Sequence, residues 1–250
     1  MGCRIRIMET EFIYWRHATS PGIMVEEVSG GEDKSGKLWK AMALQVFGEN
    51  GGDRFRQIAH TPAGAPILED CEQRISVTHT PHFLAVALLP RTPESDLEAF
   101  SLRTAMGIDA ERCDRAQVLK VADRVMSDAE LQLIEGEVEL MCNGDEHRQG
   151  IDKESAEIRA NILGWTIKEA LYKSALQEGL DYRKDLIIES LPEICGFPTV
   201  KSPRYGKGKI RRRDADGKEI LIDMELFSYE SEDHIITIAY SPKCAKFKRN

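Results

Sequence analysis

Paired cysteines are missing from this chain. Its six cysteines, Cys3, Cys71, Cys113, Cys142, Cys195 and Cys244, are scattered with no C-x-x-C. That excludes zinc-ribbon and thioredoxin-like chemistry and suits a reducing cytoplasm. Long apolar runs are also missing. The longest, residues 83–89, stops at Pro90, far short of the roughly 20 apolar residues that a membrane helix needs. The opening Met1-Gly2-Cys3-Arg4-Ile5-Arg6 has no apolar signal region, and Arg6 stands where a myristoylation signal needs Ser or Thr. Positive charge is not in excess either. The net charge is −8, which argues against broad nucleic-acid binding. There is no short-period repeat and no low-complexity tract. The expectation is a cytoplasmic protein with no membrane and no nucleic-acid partner.

What is present suits a globular enzyme. The 250 residues fit one large domain or two small ones. With 42% hydrophobic and 30% charged residues, a core can form without disulfides. A loop over 29–36 precedes a helical pattern over 37–47, and residues 48–53 break it. Strands are expected over 55–60, 74–80 and 83–89, with turn chemistry at Thr61-Pro62-Ala63-Gly64-Ala65-Pro66 between the first two. In the strand over 74–80, Ile75, Val77 and His79 alternate with Ser76, Thr78 and Thr80, a half-buried pattern.

A polar connection, 91–103, marks the boundary between two halves. Ser127-Asp128-Ala129-Glu130 has the form of a capping box. Residues 136–153 read as a surface loop or insertion. A helix over 155–178 buries Leu163, Ile167, Ala170, Leu171 and Ser174, with Gly179 as its stop. Asp216-Gly217 is a hairpin turn, and 234–240 is a closing strand. Hairpin-linked elements mixed with helices indicate an α+β fold rather than a parallel sheet.

Chemistry concentrates in two segments. In Met106-Gly107-Ile108-Asp109-Ala110-Glu111, a short strand turns Asp109 and Glu111 to one side. In Trp165-Thr166-Ile167-Lys168-Glu169-Ala170-Leu171-Tyr172-Lys173, a helix stacks Trp165, Glu169 and Lys173 in one column. Packed together, three acidic oxygens and one ammonium meet at one point. That is a site for magnesium and phosphate. Taken singly, each segment has a bland reading: an Asp-x-Glu strand is a solvated face, and Lys168–Tyr172 and Glu169–Lys173 are surface i,i+4 pairs.

The two segments resemble the signature motifs of the 4′-phosphopantetheinyl transferases, a Gly-Ile-Asp-x-Glu strand and a Trp-x-x-Lys-Glu-Ala-x-x-Lys helix. Upstream, Gly64-Ala65-Pro66 and Ile75-Ser76-Val77-Thr78-His79-Thr80 resemble the family's Gly-Lys-Pro turn and Ser-His-Ser strand. The matches run in order over residues 64–173, and the length resembles the large single-chain class. The resemblance implies two similar halves, about 1–104 and 105–250, each a helix packed on a small, mainly antiparallel sheet. A pseudo-two-fold relates them, and coenzyme A lies in the cleft between. It implies a monomer that transfers the phosphopantetheine arm of coenzyme A to a serine of an acyl or peptidyl carrier protein, releasing 3′,5′-adenosine bisphosphate.

The resemblance also assigns residues. Asp109, Glu111 and Glu169 would hold magnesium, with manganese also compatible with the ligand types. Lys173 would pair with phosphate and stabilise the leaving group. His79 would contact a coenzyme A phosphate, with the Thr78 hydroxyl beside it. The serine needs a base, either Glu169 or Glu130. Carrier contacts would follow the helix, over 174–196. Ala65 departs from the family's lysine, and Lys37 or Lys34 would compensate. Trp165 is read as packing, and His17, His60, His82, His147 and His234 as structural or surface residues.

A basic run, Lys201, Arg204, Lys207, Lys209, Arg211, Arg212 and Arg213, is a solvated loop and hairpin or a patch that orients an acidic carrier. Two rival activities fit the same acids. One is a magnesium-dependent phosphohydrolase. The other is a non-catalytic module that binds coenzyme A or the carrier.

Overall fold

The computed structural model describes residues 3–7, 10–16, 24–29, 58–60, 66–68, 75–80, 83–88, 105–144, 150–196, 205–213, 216–231 and 233–241. The expected helix over 37–47, the loop before it and the Gly64-Ala65 part of the turn lie outside these residues. Upstream of residue 105 the chain forms β1 (Cys3–Ile7), β2 (Thr10–Arg16), β3 (Met24–Ser29), β4 (Ile58–His60), β5 (Pro66–Leu68), β6 (Ile75–Thr80) and β7 (Phe83–Leu88). Five of them make an antiparallel sheet in the order β1-β2-β3-β7-β6, while β4 pairs with β5.

Downstream come β8 (Met106–Arg112), a short turn of 3-10 helix (Ala116–Lys120), α1 (Ala122–Val125), α2 (Asp128–Asn143) and α3 (Lys153–Ala175). Then follow β9 (Leu186–Ser190), β10 (Ile194–Gly196), β11 (Gly206–Arg213), β12 (Glu219–Ser231) and β13 (His234–Tyr240). The second sheet runs β8-β13-β12-β11-β9 with antiparallel neighbours, and β10 adds to β12 in parallel. The architecture is mixed α and β on antiparallel sheets.

Helix α3 is the centre of the second core. Ile162, Leu163, Ile167, Ala170, Leu171 and Ser174 are fully buried, and the helix packs on β8, β13, β11 and β9. Each large aliphatic side chain buried this way contributes about 1.5–3 kcal/mol. Asp152 caps its start, accepting from the Ser155 amide at 2.9 Å. The helix ends at Ala175, not at Gly179. Leu176 takes the left-handed cap position at φ 51°, a conformation that glycine usually supplies.

Gly107 sets how near β8 comes to α3. A Cβ at Gly107 would lie 2.1 Å from the Ala170 carbonyl oxygen and 2.8 Å from the Ser174 amide. Only glycine permits that approach. Deeper in the same layer, Thr166 and Ser228 each place a hydroxyl 2.8 Å from the Thr237 hydroxyl. This chain of hydroxyls satisfies buried polar atoms between helix and sheet.

Helix α2 corrects the sequence reading of 136–153 over its first part, 136–143. The Ser127 capping box is present in both directions, and the helix it opens continues through Gly136 to Asn143. Glu130 and Ile134 are its buried residues, so the remaining polar residues reflect a solvent-facing helix rather than a loop.

The two sheets meet edge to edge. β6 and β8 are edge strands, and side chains rather than a backbone ladder join them. The Ile108 amide donates to the Ser76 hydroxyl at 3.0 Å, and the Ala110 amide to the Thr78 hydroxyl at 3.1 Å. Among the β6 side chains that the structure describes, Ser76 and Thr78 are buried, whereas Val77 is half-buried. Polar residues occupy this interior because they satisfy the β8 edge.

Gly217, at φ 78°, turns the chain between β11 and β12. The described part of the basic run lies on β11 itself, between β12 and β9. Lys207 sits opposite Glu225, Lys209 opposite Asp223 and Arg213 opposite Glu219. Lys209 also pairs with Glu189, and Arg211 with Glu219 at 3.4 Å. Much of the positive charge is thus matched by acids on neighbouring strands.

Candidate active site

A cavity of about 670 Å³ opens where β6, β8 and α3 come together. Val77, Thr78, Asp109, Ala110, Glu111, Arg112, Arg115, Trp165, Glu169 and Lys173 line it. The strand period turns Asp109 and Glu111 inward together, and the helix period brings Trp165, Glu169 and Lys173 to the same wall. Asp109 and Glu111 are buried.

Asp109 is the best-connected acid. Its Oδ1 accepts from the Thr78 hydroxyl at 3.1 Å and from Lys173 Nζ at 2.7 Å. The same ammonium donates to the Ile108 carbonyl at 3.1 Å and the Val77 carbonyl at 3.3 Å. Lys173 therefore ties the two sheets and the helix at one atom. Burial pushes the Asp109 carboxyl above its ordinary range, against the pull of Lys173 and the Thr78 hydroxyl. The Thr78 hydroxyl donates to Asp109 and accepts from the Ala110 amide, so its bonds go to the protein.

Glu111 accepts from the Arg112 amide at 3.0 Å and pairs with the Arg115 guanidinium. Glu169 accepts at Oε1 from the Tyr182 hydroxyl at 2.8 Å. Burial raises its carboxyl, the Asp109 charge raises it further, and the Tyr182 bond opposes both. The three acids thus share a cavity without converging on one point, because each is drawn to a different partner. Among the described residues no group of three or more His, Cys, Asp or Glu is close enough to hold an ion. Only Asp109 of the three acids meets the ammonium directly.

The donor set nevertheless suits a hard divalent cation. All three ligand candidates are carboxylates. The described hydrogen bonds of Asp109 fall on Oδ1 and those of Glu169 on Oε1. One oxygen of each is left for a ligand, in a place where burial disfavours uncompensated negative charge.

Glu130 is not brought to the cavity. It is 3% exposed, and Lys168 Nζ reaches both of its oxygens at 2.8 Å. The Ile188 amide donates to Oε1 at 2.7 Å and the Ser127 amide to Oε2 at 2.7 Å. Lys168 also donates to the carbonyls of Tyr182, at 2.8 Å, and Leu186. Burial lowers the Lys168 ammonium from its ordinary value while Glu130 opposes that shift. Lys168 is therefore not a surface i,i+4 partner of Tyr172; it is fully buried.

His79 lies on β6, one position beyond cavity-lining Thr78, and the structure describes its backbone alone. Lys37 and Lys34 lie outside the described residues. Sequence reasoning missed Arg112 and Arg115 in the cavity wall, although the Glu111-x-x-x-Arg115 spacing is a usable signal. It also missed Tyr182. Trp165 packs as expected, stacked on Tyr182 with ring centroids 6.4 Å apart, yet it lines the cavity too.

Residues 105–239, more than half of the chain, match the family model of the 4′-phosphopantetheinyl transferase superfamily. No curated protein matches the chain. No helix among the described residues is long and apolar enough to cross a membrane.

Proposed function

Because the chain belongs to the 4′-phosphopantetheinyl transferase superfamily, we propose that it transfers the 4′-phosphopantetheine arm of coenzyme A to a serine of an acyl or peptidyl carrier protein. The observation that carries this reading is the single cavity lined by Asp109, Glu111, Glu169 and Lys173. Val77 and Thr78 reach it from upstream of residue 105 and the other lining residues from downstream. Both halves, 1–104 and 105–250, thus reach one cavity, which supports coenzyme A held between them; that they are related by a pseudo-two-fold and act as a monomer is carried by the family resemblance alone.

Asp109, Glu111 and Glu169 would hold magnesium or manganese. A bound divalent ion neutralises charge on the pyrophosphate and on the transferred phosphoryl group. The remaining chemistry belongs to the chain. The carrier serine oxygen attacks the phosphorus next to pantetheine, and the new serine–phosphate bond replaces the bond to the leaving 3′,5′-adenosine bisphosphate. Glu169 takes the serine proton. A positioned carboxylate within reach of the serine hydroxyl, directly or through one water, is a competent base. Glu130, with both oxygens saturated by protein donors, is set aside for that role.

Lys173 supplies a fixed positive charge to the leaving group, since two main-chain carbonyls and Asp109 aim its ammonium. His79 on β6, together with Lys37, is assigned to the coenzyme A phosphates.

The test is direct. The protein is incubated with coenzyme A, magnesium and an apo-carrier, and the carrier is weighed. A gain of one phosphopantetheine, dependent on magnesium and on the carrier serine, is expected. Release of phosphopantetheine without carrier would instead make the protein a phosphohydrolase. Binding of coenzyme A with no mass gain would make it a binding module.

A further inference from the structure

We propose that Tyr182 is a positioning residue for Glu169, using its phenol to hold one carboxylate oxygen so that the group meets a divalent cation in a fixed orientation. The proposal rests on the reading of Glu169 as a ligand of that ion. It concerns a residue outside both sequence motifs.

Three observations carry it. The Tyr182 hydroxyl donates to Glu169 Oε1 at 2.8 Å. The ring is stacked on Tyr172 at 5.3 Å and 21° and on Trp165 at 6.4 Å and 17°. The main chain of the same residue is clamped separately, because its carbonyl accepts from Lys168 Nζ at 2.8 Å.

The neighbouring residues tie this segment to itself and to the helices before α3. Asp181 Oδ1 accepts from the amides of Arg183 and Lys184 at 2.9 and 3.2 Å. The Arg183 guanidinium reaches Asp128 on α2 at 2.9 Å and the Asp123 carbonyl on α1 at 3.2 Å. A phenylalanine would fill the same stack. The hydroxyl adds one thing, a donor aimed at a cavity carboxylate.

A donor of this kind fixes which oxygen of a carboxylate remains for a ligand and how the plane is turned. Losing such a partner typically weakens metal affinity about 10–100-fold. The Lys168–Glu130 pair acts one step further back, by holding the Tyr182 main chain.

The experiment compares the full chain with Tyr182→Phe, Glu169→Gln and the double variant. Free Mn2+ is measured by electron paramagnetic resonance, with thermal unfolding as the control for folding. Tyr182→Phe should keep its thermal midpoint and bind Mn2+ at least about tenfold more weakly. In the Glu169→Gln background the same change should have no further effect, because the hydroxyl acts through Glu169. Equal Mn2+ affinity in wild type and Tyr182→Phe overturns the proposal. So does an equal loss in both backgrounds, or a wild-type protein that binds no Mn2+. The carrier mass assay is read separately. No mass gain alongside Tyr182-dependent Mn2+ binding would sink the transferase reading and leave the role of Tyr182 standing.

Discussion

Lys168 and Lys173 project from one helix, little more than a turn apart, and meet carboxylates at 2.8 and 2.7 Å. Their surroundings are opposite. Around Lys168 the network is closed: Glu130 accepts four bonds and both side chains are essentially buried. Around Lys173 it is open on the acid's side: the ammonium spends its three donors on Asp109 and two carbonyls, but Asp109 is bonded through one oxygen and the lysine side chain is 29% exposed on a cavity wall. A saturated pair has no capacity left for a ligand and serves the fold. An unsaturated pair at a cavity is where outside chemistry can enter. Both lysines of the Trp-x-x-Lys-Glu-Ala-x-x-Lys motif therefore matter, for different reasons.

The comparison breaks most clearly under exchange of effects. Glu130→Ala strands a buried ammonium and should lower stability by about 3–5 kcal/mol, read from denaturant unfolding. The fraction that stays folded should still act on the carrier. Asp109→Ala should do the reverse. Transfer should fall about 10²–10³-fold, with an unfolding midpoint close to wild type. If Asp109→Ala unfolds the protein while Glu130→Ala only slows it, the two assignments are interchanged.

Gly107→Ala tests the frame that the two regions share. The added methyl meets the Ala170 carbonyl, so β8 must retreat from α3 at a cost of about 1–3 kcal/mol, and transfer should fall with it. Ser127→Ala removes one capping bond and should cost about 1 kcal/mol without changing the carrier assay.

The smallest expected effect is one of pH. His234 lies on β13, the strand paired with β8. Burial lowers its imidazole from the ordinary value, although Asp233 pulls the other way. The unfolded chain then binds the extra proton more readily, so stability rises with pH and is lost as pH falls below about 6.5. Urea midpoints at two pH values should differ less in His234→Gln than in wild type. An identical difference in both would remove His234 from the account.

The parts legible in the sequence are those written in local rules. The β8 strand was readable in Met106-Gly107-Ile108-Asp109-Ala110-Glu111, the start of α2 in its capping box, and the buried face of α3 in five residues at helical spacing. The β11–β12 turn followed from Asp216-Gly217. The errors come from the same rules applied where tertiary contacts decide. Gly136 and its polar neighbours suggested a loop, yet Val138 and Met141 beyond it pack against buried Met126, Ile134 and Ala160 and carry the helix past them. Gly179 offered an easy stop, but α3 ends earlier at Leu176.

The candidate site was legible as a set of residue types and not as a network. Nothing local distinguishes Glu130 from Glu169 as a base; partners far along the chain do so, the Ile188 amide and Lys168 for one and the Tyr182 hydroxyl for the other. The alternating pattern of β6 hinted at Ser76 and Thr78, but their purpose depends on an edge that only the fold brings alongside.

That junction has a consequence for the protein's behaviour in a crowded solution. An edge strand with idle amides invites another chain to pair with it. Ser76 and Thr78 occupy the Ile108 and Ala110 amides with hydroxyls, which do not propagate a ladder. The two sheets can therefore abut without merging into one, and β8 offers less of a template for cross-chain aggregation.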